Sequence, residues 1–268
     1  MDNSSDGGVQ IATGICEVNG KKVGYLIGGS GPGVLFVHGW AANPGIYFQA
    51  LRGIANLGFR VIAPYLPGSG PSEFLNGKGF IASPDQIAQW LSDLLGSINF
   101  PNPRIVAGHS LGGGLATTYT HLYGGEIEHL LLLSSVGGHA NSDGEQIELR
   151  SSIEWSLSIP IDLAVTEISP KHVISMVGGG LAQFVRDPVG LWKMSKLARN
   201  YQLCTELGEI SKAGIKVSVV GARIDRVISR SSVQRLAKCA KVEPIWVSGT
   251  HSWISSHPEQ LLDLISNL

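Results

Sequence analysis

The stretch Ile105-Val106-Ala107-Gly108-His109-Ser110-Leu111-Gly112-Gly113 decides how this chain reads. Its apolar start suits a buried strand. Leu115 to Tyr123, which contains neither Pro nor Gly, suits a helix behind it. Ser110 therefore sits at a tight strand-to-helix turn, bracketed by Gly108 and Gly112. Such a turn forces a strained backbone on the serine, and small flanking residues let neighbouring segments approach it closely. The geometry lifts the hydroxyl clear of the sheet, which makes Ser110 the candidate nucleophile.

Outward from that turn, the chain alternates strands and helices. Gln10–Val18 and Lys22–Ile27 read as strands joined at Asn19-Gly20, a two-residue hairpin signal. Val34–Val37 and Leu130–Leu133 are continuous apolar runs, as expected of strands covered on both faces, and Phe59–Ala63 gives a further strand. Asn43-Pro44 and Ser83-Pro84 each pair an N-cap residue with a proline in the first helical turn. Ile215–Val220 and Pro244–Val247 give two more strands, with helices from about Ser231 and from Pro258. This rhythm implies an α/β fold, a mostly parallel central sheet flanked by helices. Between Gly137 and Asn200 the rhythm breaks into a helical stretch without a sheet strand of its own. The expected domains are a core of 1–136 and 200–268 and a helical cap of 137–199.

Composition narrows the function. A chain of 268 residues, 43% hydrophobic and 15% charged, can bury one large core. The net charge of −1 and scattered basic residues give no reason to expect nucleic acid or an anionic membrane as partner. The polar start Met1-Asp2-Asn3-Ser4 lacks the features of a secretory signal, and no apolar run is long enough to span a bilayer. Cys16, Cys204 and Cys239 are an odd number at unpatterned spacing. They read as isolated thiols in a reducing compartment. The expectation is a cytoplasmic protein, monomer or homodimer, acting on a small-molecule substrate.

A serine hydroxyl is a poor nucleophile and needs a base within hydrogen-bond reach. Of the eight histidines, His251 is placed best, in the loop just past the last strand. His121 and His129 belong in or beside the helix after Ser110, and His257 at a helix start before Pro258. Packing or backbone positioning accounts for His38 and His109, while His139 and His172 fall in the insertion and could touch substrate. The base in turn needs a carboxylate to fix its tautomer. Asp225 follows the Ile215–Val220 strand directly, and the order Ser110, Asp225, His251 fits the glycine-bracketed turn. Its competing role is a salt bridge with Arg223 or Arg226. The other loop that could supply an acid reads Ser134-Ser135. An anion cradle completes the set, from the backbone N–H groups of Trp40, in Val37-His38-Gly39-Trp40, and of Leu111.

With these motifs, with Leu66-Pro67-Gly68-Ser69-Gly70-Pro71-Ser72 and with His251 followed by Pro258, the chain resembles an α/β-hydrolase of the serine-nucleophile type with a helical cap. The resemblance runs from the first strands to Leu268, with only the cap poorly matched. One position departs: similar proteins carry Asp two residues before the Pro-Gly turn, where this chain has Tyr65. That acid supports the turn, so the departure bears on loop stability and not on the chemistry. The family's haloalkane dehalogenases and epoxide hydrolases use an Asp nucleophile, which Ser110 argues against. The resemblance implies hydrolysis of a carboxylic ester through an acyl-enzyme, with no metal or organic cofactor. A C–C bond hydrolase, lactonase or thioesterase could use the same residues. A ligand receptor or cofactor-free haloperoxidase-like protein is the alternative of another class. The insertion is apolar, and Trp155, Phe184 and Trp192 are its candidate substrate-binding residues.

Overall fold

The computed structural model describes residues 8–138 and 182–268. Its strands are β1 (Ile11–Val18), β2 (Lys21–Gly28), β3 (Gly33–Val37), β4 (Arg60–Pro64), β5 (Pro103–His109), β6 (His129–Leu133), β7 (Lys216–Ala222) and β8 (Ile245–Val247). They form one sheet in the order β1-β2-β4-β3-β5-β6-β7-β8. β2 runs antiparallel to β1 and β4, and every other pairing is parallel. The β1–β2 hairpin turns at Asn19 and Gly20, both with positive φ, as its two-residue loop requires.

The buried strands explain the layering. In β3, Leu35 and Val37 face one core while Val34 and Phe36 face the other. β6 divides the same way, with Leu130 and Leu132 opposite Leu131 and Leu133. Side chains alternate across a strand, so a continuous apolar run needs a cover on both faces. One face is covered by α2 (Pro84–Ser97), α3 (Leu111–Tyr123), α5 (Cys204–Lys212) and α6 (Arg230–Ala240). The other is covered by α1 (Phe48–Asn56), α7 (Trp253–Ser256) and α8 (Pro258–Ser266). The cap signals act as expected. The Asn43 side chain accepts from the Gly45 N–H ahead of a short 3-10 turn, and Ser83 and Gln86 close a reciprocal capping box on α2. Among the described residues, no helix is long and apolar enough to cross a membrane.

Three findings differ from the sequence expectations. First, α3 begins at Leu111 and runs through Gly112, Gly113 and Gly114, four residues earlier than a Gly-free helix would start. Packing overrides propensity here. A Cβ on Gly112 would overlap the Val37 and His38 carbonyl oxygens, and one on Gly113 the Ser135 side chain. The glycines thus let the helix start pack directly on β3 and on the loop after β6. Gly112→Ala is expected to destabilise the fold by about 1–3 kcal/mol or more through overpacking. Gly125→Ala, where a Cβ meets open space, should leave stability nearly unchanged. Urea midpoints of the two variants check this; equal shifts would contradict it.

Second, Cys204 and Cys239 form a disulfide that joins α5 to α6, leaving Cys16 as a free thiol. They are 35 residues apart in sequence, a spacing that hides their meeting on one face of the sheet. Disulfides are rare in the cytosol. The bridge therefore removes the argument from isolated thiols to a reducing compartment.

Third, the turn with Tyr65 is well tied without an acid at that position. The Ser72 hydroxyl donates to the Tyr65 carbonyl at 2.7 Å and accepts from the Gly24 N–H at 3.1 Å. The Tyr65 ring covers Gly70, where φ is +49 and no Cβ would fit.

Candidate active site

The strand order reverses at β3, which has β4 on one side and β5 on the other. A crevice outside the C-terminal ends of the strands at such a point is the usual ligand site of an open α/β sheet. β5 delivers Ser110 there and β3 delivers Gly39 and Trp40. A Cβ on Gly39 would stand 3.1 Å from that of Ser110, so the two turns are in close contact.

Ser110 has φ 57 and ψ −121, a conformation that costs on the order of 1–3 kcal/mol for a residue with a side chain. The surroundings hold it there. Its N–H donates to the Leu133 carbonyl at 3.0 Å, and its carbonyl accepts from the Gly113 N–H at 3.0 Å and the Val136 N–H at 3.1 Å. Gly108 is required too, since a Cβ there would overlap the Gly112 carbonyl.

Asp225 and His251 come from the loops after β7 and β8. The Asp225 Oδ2 lies 2.9 Å from the His251 Nδ1, with both side chains almost fully buried. The Asp225 Oδ1 accepts from the N–H groups of Val227 and Ile228, each at 2.8 Å. Burial pushes the Asp225 carboxyl upward, but His251 and these two amides outweigh it and hold it below its ordinary value. The carboxylate thus stays charged with its oxygens occupied by an imidazole and two amides, and not by an arginine.

Trp40 and Leu111 both line a small cavity of about 50 Å³ beside the turn. The Trp40 indole also donates to the Leu191 carbonyl at 3.0 Å, in α4 (Pro188–Asn200) of the insertion. Arg186 donates to the Gly70 carbonyl at 2.8 Å, and Asp187 accepts from the Gly79 N–H at 2.9 Å. These contacts bind residues 186–191 to the loops after β3 and β4. The insertion's share of the cavity wall comes from Gln183, Asp187, Gly190, Leu191 and Met194. Phe184 and Trp192 are about half exposed and do not line it, and the Trp192 ring carries the Lys196 ammonium at 3.8 Å. Trp155, His139 and His172 lie outside the described residues.

The remaining described histidines have structural partners. His38 stands 2.9 Å from the Gly39 carbonyl and accepts from the Leu66 N–H at 3.1 Å, joining the loops after β3 and β4. His121 and His257 lie near Glu209 and Glu259, and His129 meets Ser218 at 2.8 Å. Sequence reading missed Tyr47, whose hydroxyl lies 2.9 Å from the His109 Nδ1. No local pattern marks a tyrosine distant in sequence from the turn it serves. A larger hollow, about 1200 Å³, opens at the opposite end of the sheet beside Arg104, Glu128 and Lys216. None of the candidate catalytic residues reaches it.

Burial dominates the two histidines of this core. It lowers His38 to about 4 and His109 to about 3, the nearby His251 adding to the latter. Both stay neutral in the fold while unfolded imidazoles take up protons near pH 6.5. Between these values the unfolded chain binds more protons, so stability falls as pH falls. Each histidine contributes up to about 1.4 kcal/mol per pH unit in that window. Denaturation midpoints are expected to drop between about pH 7 and about pH 5. A flat profile would contradict neutral, buried histidines.

The model of the Alpha/beta hydrolase family matches residues 34–264, which include every residue of the candidate site. A pimeloyl-[acyl-carrier protein] methyl ester esterase of Shewanella oneidensis is 30% identical over 88% of this chain and 90% of its own. A non-heme chloroperoxidase of Kitasatospora aureofaciens is 33% identical over 46% of this chain and 44% of its own. The crystal structure of an enol-lactonase from Burkholderia xenovorans superposes with a TM-score of 0.71, at 14% identity, covering 95% of this chain and 98% of that one. That likeness reports the shared fold. By its sheet, its strained Ser110 turn and the extent of this match, the chain belongs to the alpha/beta hydrolase family.

Proposed function

We propose that the protein is a serine hydrolase that cleaves a carboxylic ester of a small or medium apolar substrate through an acyl-enzyme. The observation that carries this reading is the buried Asp225–His251 pair at 2.9 Å, packed at 4.6 Å between ring centroids against His109, the residue that precedes the strained Ser110. Ser110 Oγ attacks the ester carbonyl as His251 takes its proton. The backbone N–H groups of Trp40 and Leu111 hold the oxyanion, a donor of this kind contributing about 3–4 kcal/mol in the transition state. His251 returns the proton to the departing alcohol, then activates the water that releases the acid. Asp225 stays ionised throughout and steadies the imidazolium. The related methyl ester esterase supports an ester over other acyl compounds.

The cavity wall supports the substrate size. Leu66, Phe74, Leu111, Leu191 and Met194 enclose about 50 Å³, room for a short acyl chain. Met194→Ala is expected to raise kcat/KM for a butyrate or octanoate ester relative to acetate by roughly tenfold, the low end of what one methylene is worth in an apolar pocket. Trp192→Ala should change none of the three, because its ring faces Lys196. Equal changes at all three lengths in Met194→Ala would contradict the placement.

A second reading rests on the chloroperoxidase relative. Assays with hydrogen peroxide and halide, run beside ester, thioester and lactone panels, separate the two. Ester turnover without halogenation is the expected outcome, and halogenation without ester turnover would reverse the reading.

A further inference from the structure

His109 sits one residue before the nucleophile and is fully buried, yet both of its ring nitrogens are occupied. Its Nε2 lies 3.0 Å from the main-chain carbonyl of His251 and its Nδ1 lies 2.9 Å from the Tyr47 hydroxyl. The direction of both bonds is forced. A carbonyl can only accept, so Nε2 carries the proton; Nδ1 must then accept, and Tyr47 must donate. Burial raises the Tyr47 phenol far above neutrality, so the proton it donates is always present. The His109 ring also stands against the His251 imidazole, with centroids 4.6 Å apart and planes tilted by 40°. Tyr47 itself is fixed against Phe36 of β3, with centroids 4.9 Å apart.

Resting on the reading of His251 as the base, we propose that Tyr47 and His109 are positioning residues that anchor the main chain of His251. His251 lies in the turn between β8 and α7, two residues after Gly249 with its φ of 104. Asp225 holds one end of the residue through Nδ1, and His109 holds the other through the carbonyl. Together the two bonds restrict the positions open to the imidazole. With one end free, it can swing, and a displacement of about 1 Å in a reacting group costs up to about 10²-fold in rate. His109 also suits this place because it stays neutral. The groups facing it are His251, Asp225, His38 and Tyr47, and a cationic His109 would oppose the imidazolium that His251 becomes.

The test compares His109→Leu, His109→Gln and Tyr47→Phe with wild type. Sites are counted by exhaustive fluorophosphonate labelling, so that kcat is expressed per competent molecule. His109→Leu is expected to lose between about tenfold and about 10²-fold in kcat with little change in KM. His109→Gln, whose amide N–H can still reach the carbonyl, should recover most of that loss, and Tyr47→Phe should fall between them. A kcat per site within about twofold of wild type in both His109→Leu and Tyr47→Phe would overturn the proposal. If His109→Leu does not fold, Tyr47→Phe, which removes one oxygen, decides alone. A readout independent of turnover is the downfield NMR resonance of the proton shared by His251 and Asp225. It should be sharp in wild type and in Ser110→Ala, and broadened by exchange in His109→Leu and Tyr47→Phe. If wild type neither turns over esters nor labels, the serine reading fails while this resonance still tests the anchor. An unchanged resonance in the variants would then reject it.

Discussion

Replacing Ser110 by Ala is expected to lower kcat for a short-chain ester by roughly 10⁴-fold or more while leaving the fold intact. The residues of such a site act as a unit, so removing the nucleophile removes nearly everything that His251 and Asp225 contribute. The fold should tolerate the change because the strained turn is held through main-chain groups, from Leu133, Gly113 and Val136, and not through the hydroxyl. Thermal unfolding at the wild-type temperature, measured on the same preparation, separates loss of chemistry from loss of structure. Near-normal turnover in a folded Ser110→Ala protein would exclude the serine mechanism.

Asp225→Asn should cost on the order of 10⁴-fold in kcat, for a different reason. Asparagine keeps the shape, and its oxygen can still accept from Val227 and Ile228. That leaves the amide nitrogen facing the His251 Nδ1, where it can only donate. The imidazole must then carry its proton on Nε2, the nitrogen left to act as base, which can no longer take the serine proton. The lost charge also removes the stabilisation of the imidazolium. Arg223→Ala and Arg226→Ala are expected to cost far less, because the Asp225 oxygens are occupied by His251 and backbone amides. Measuring kcat for the three variants side by side checks the assignment, and an active Asp225→Asn enzyme would refute it.

Much of this site can be read from the sequence because its parts lie at strand ends. Ser110, Asp225 and the His38-Gly39-Trp40 turn each directly follow an apolar run, and parallel strands bring such ends to one edge. Local signals also sufficed for the hairpin at Asn19-Gly20 and the caps at Asn43 and Ser83. Three kinds of information were not local. The glycines that open α3 read as helix-breaking, although close packing on β3 and on the loop after β6 requires Gly112 and Gly113. The Cys204–Cys239 bridge depends on how α5 and α6 pack on the sheet, which their spacing does not encode. On α4, aromatic content pointed to Trp192, whereas helix orientation puts Leu191 and Met194 against the cavity. A single amphipathic turn offers several apolar faces, and only the contacts with Trp40 and Gly79 select one. Tyr47 belongs with these, since its partner His109 is 62 residues away.

The central claim is that Ser110 is the nucleophile activated by His251 and Asp225. Intact-protein and peptide mass spectrometry after reaction with a fluorophosphonate tests it most directly. The account predicts a single adduct, on the peptide containing Ser110, absent from Ser110→Ala and formed much more slowly in Asp225→Asn. An adduct on another residue, or ester turnover that persists with Ser110 unmodified, would contradict it.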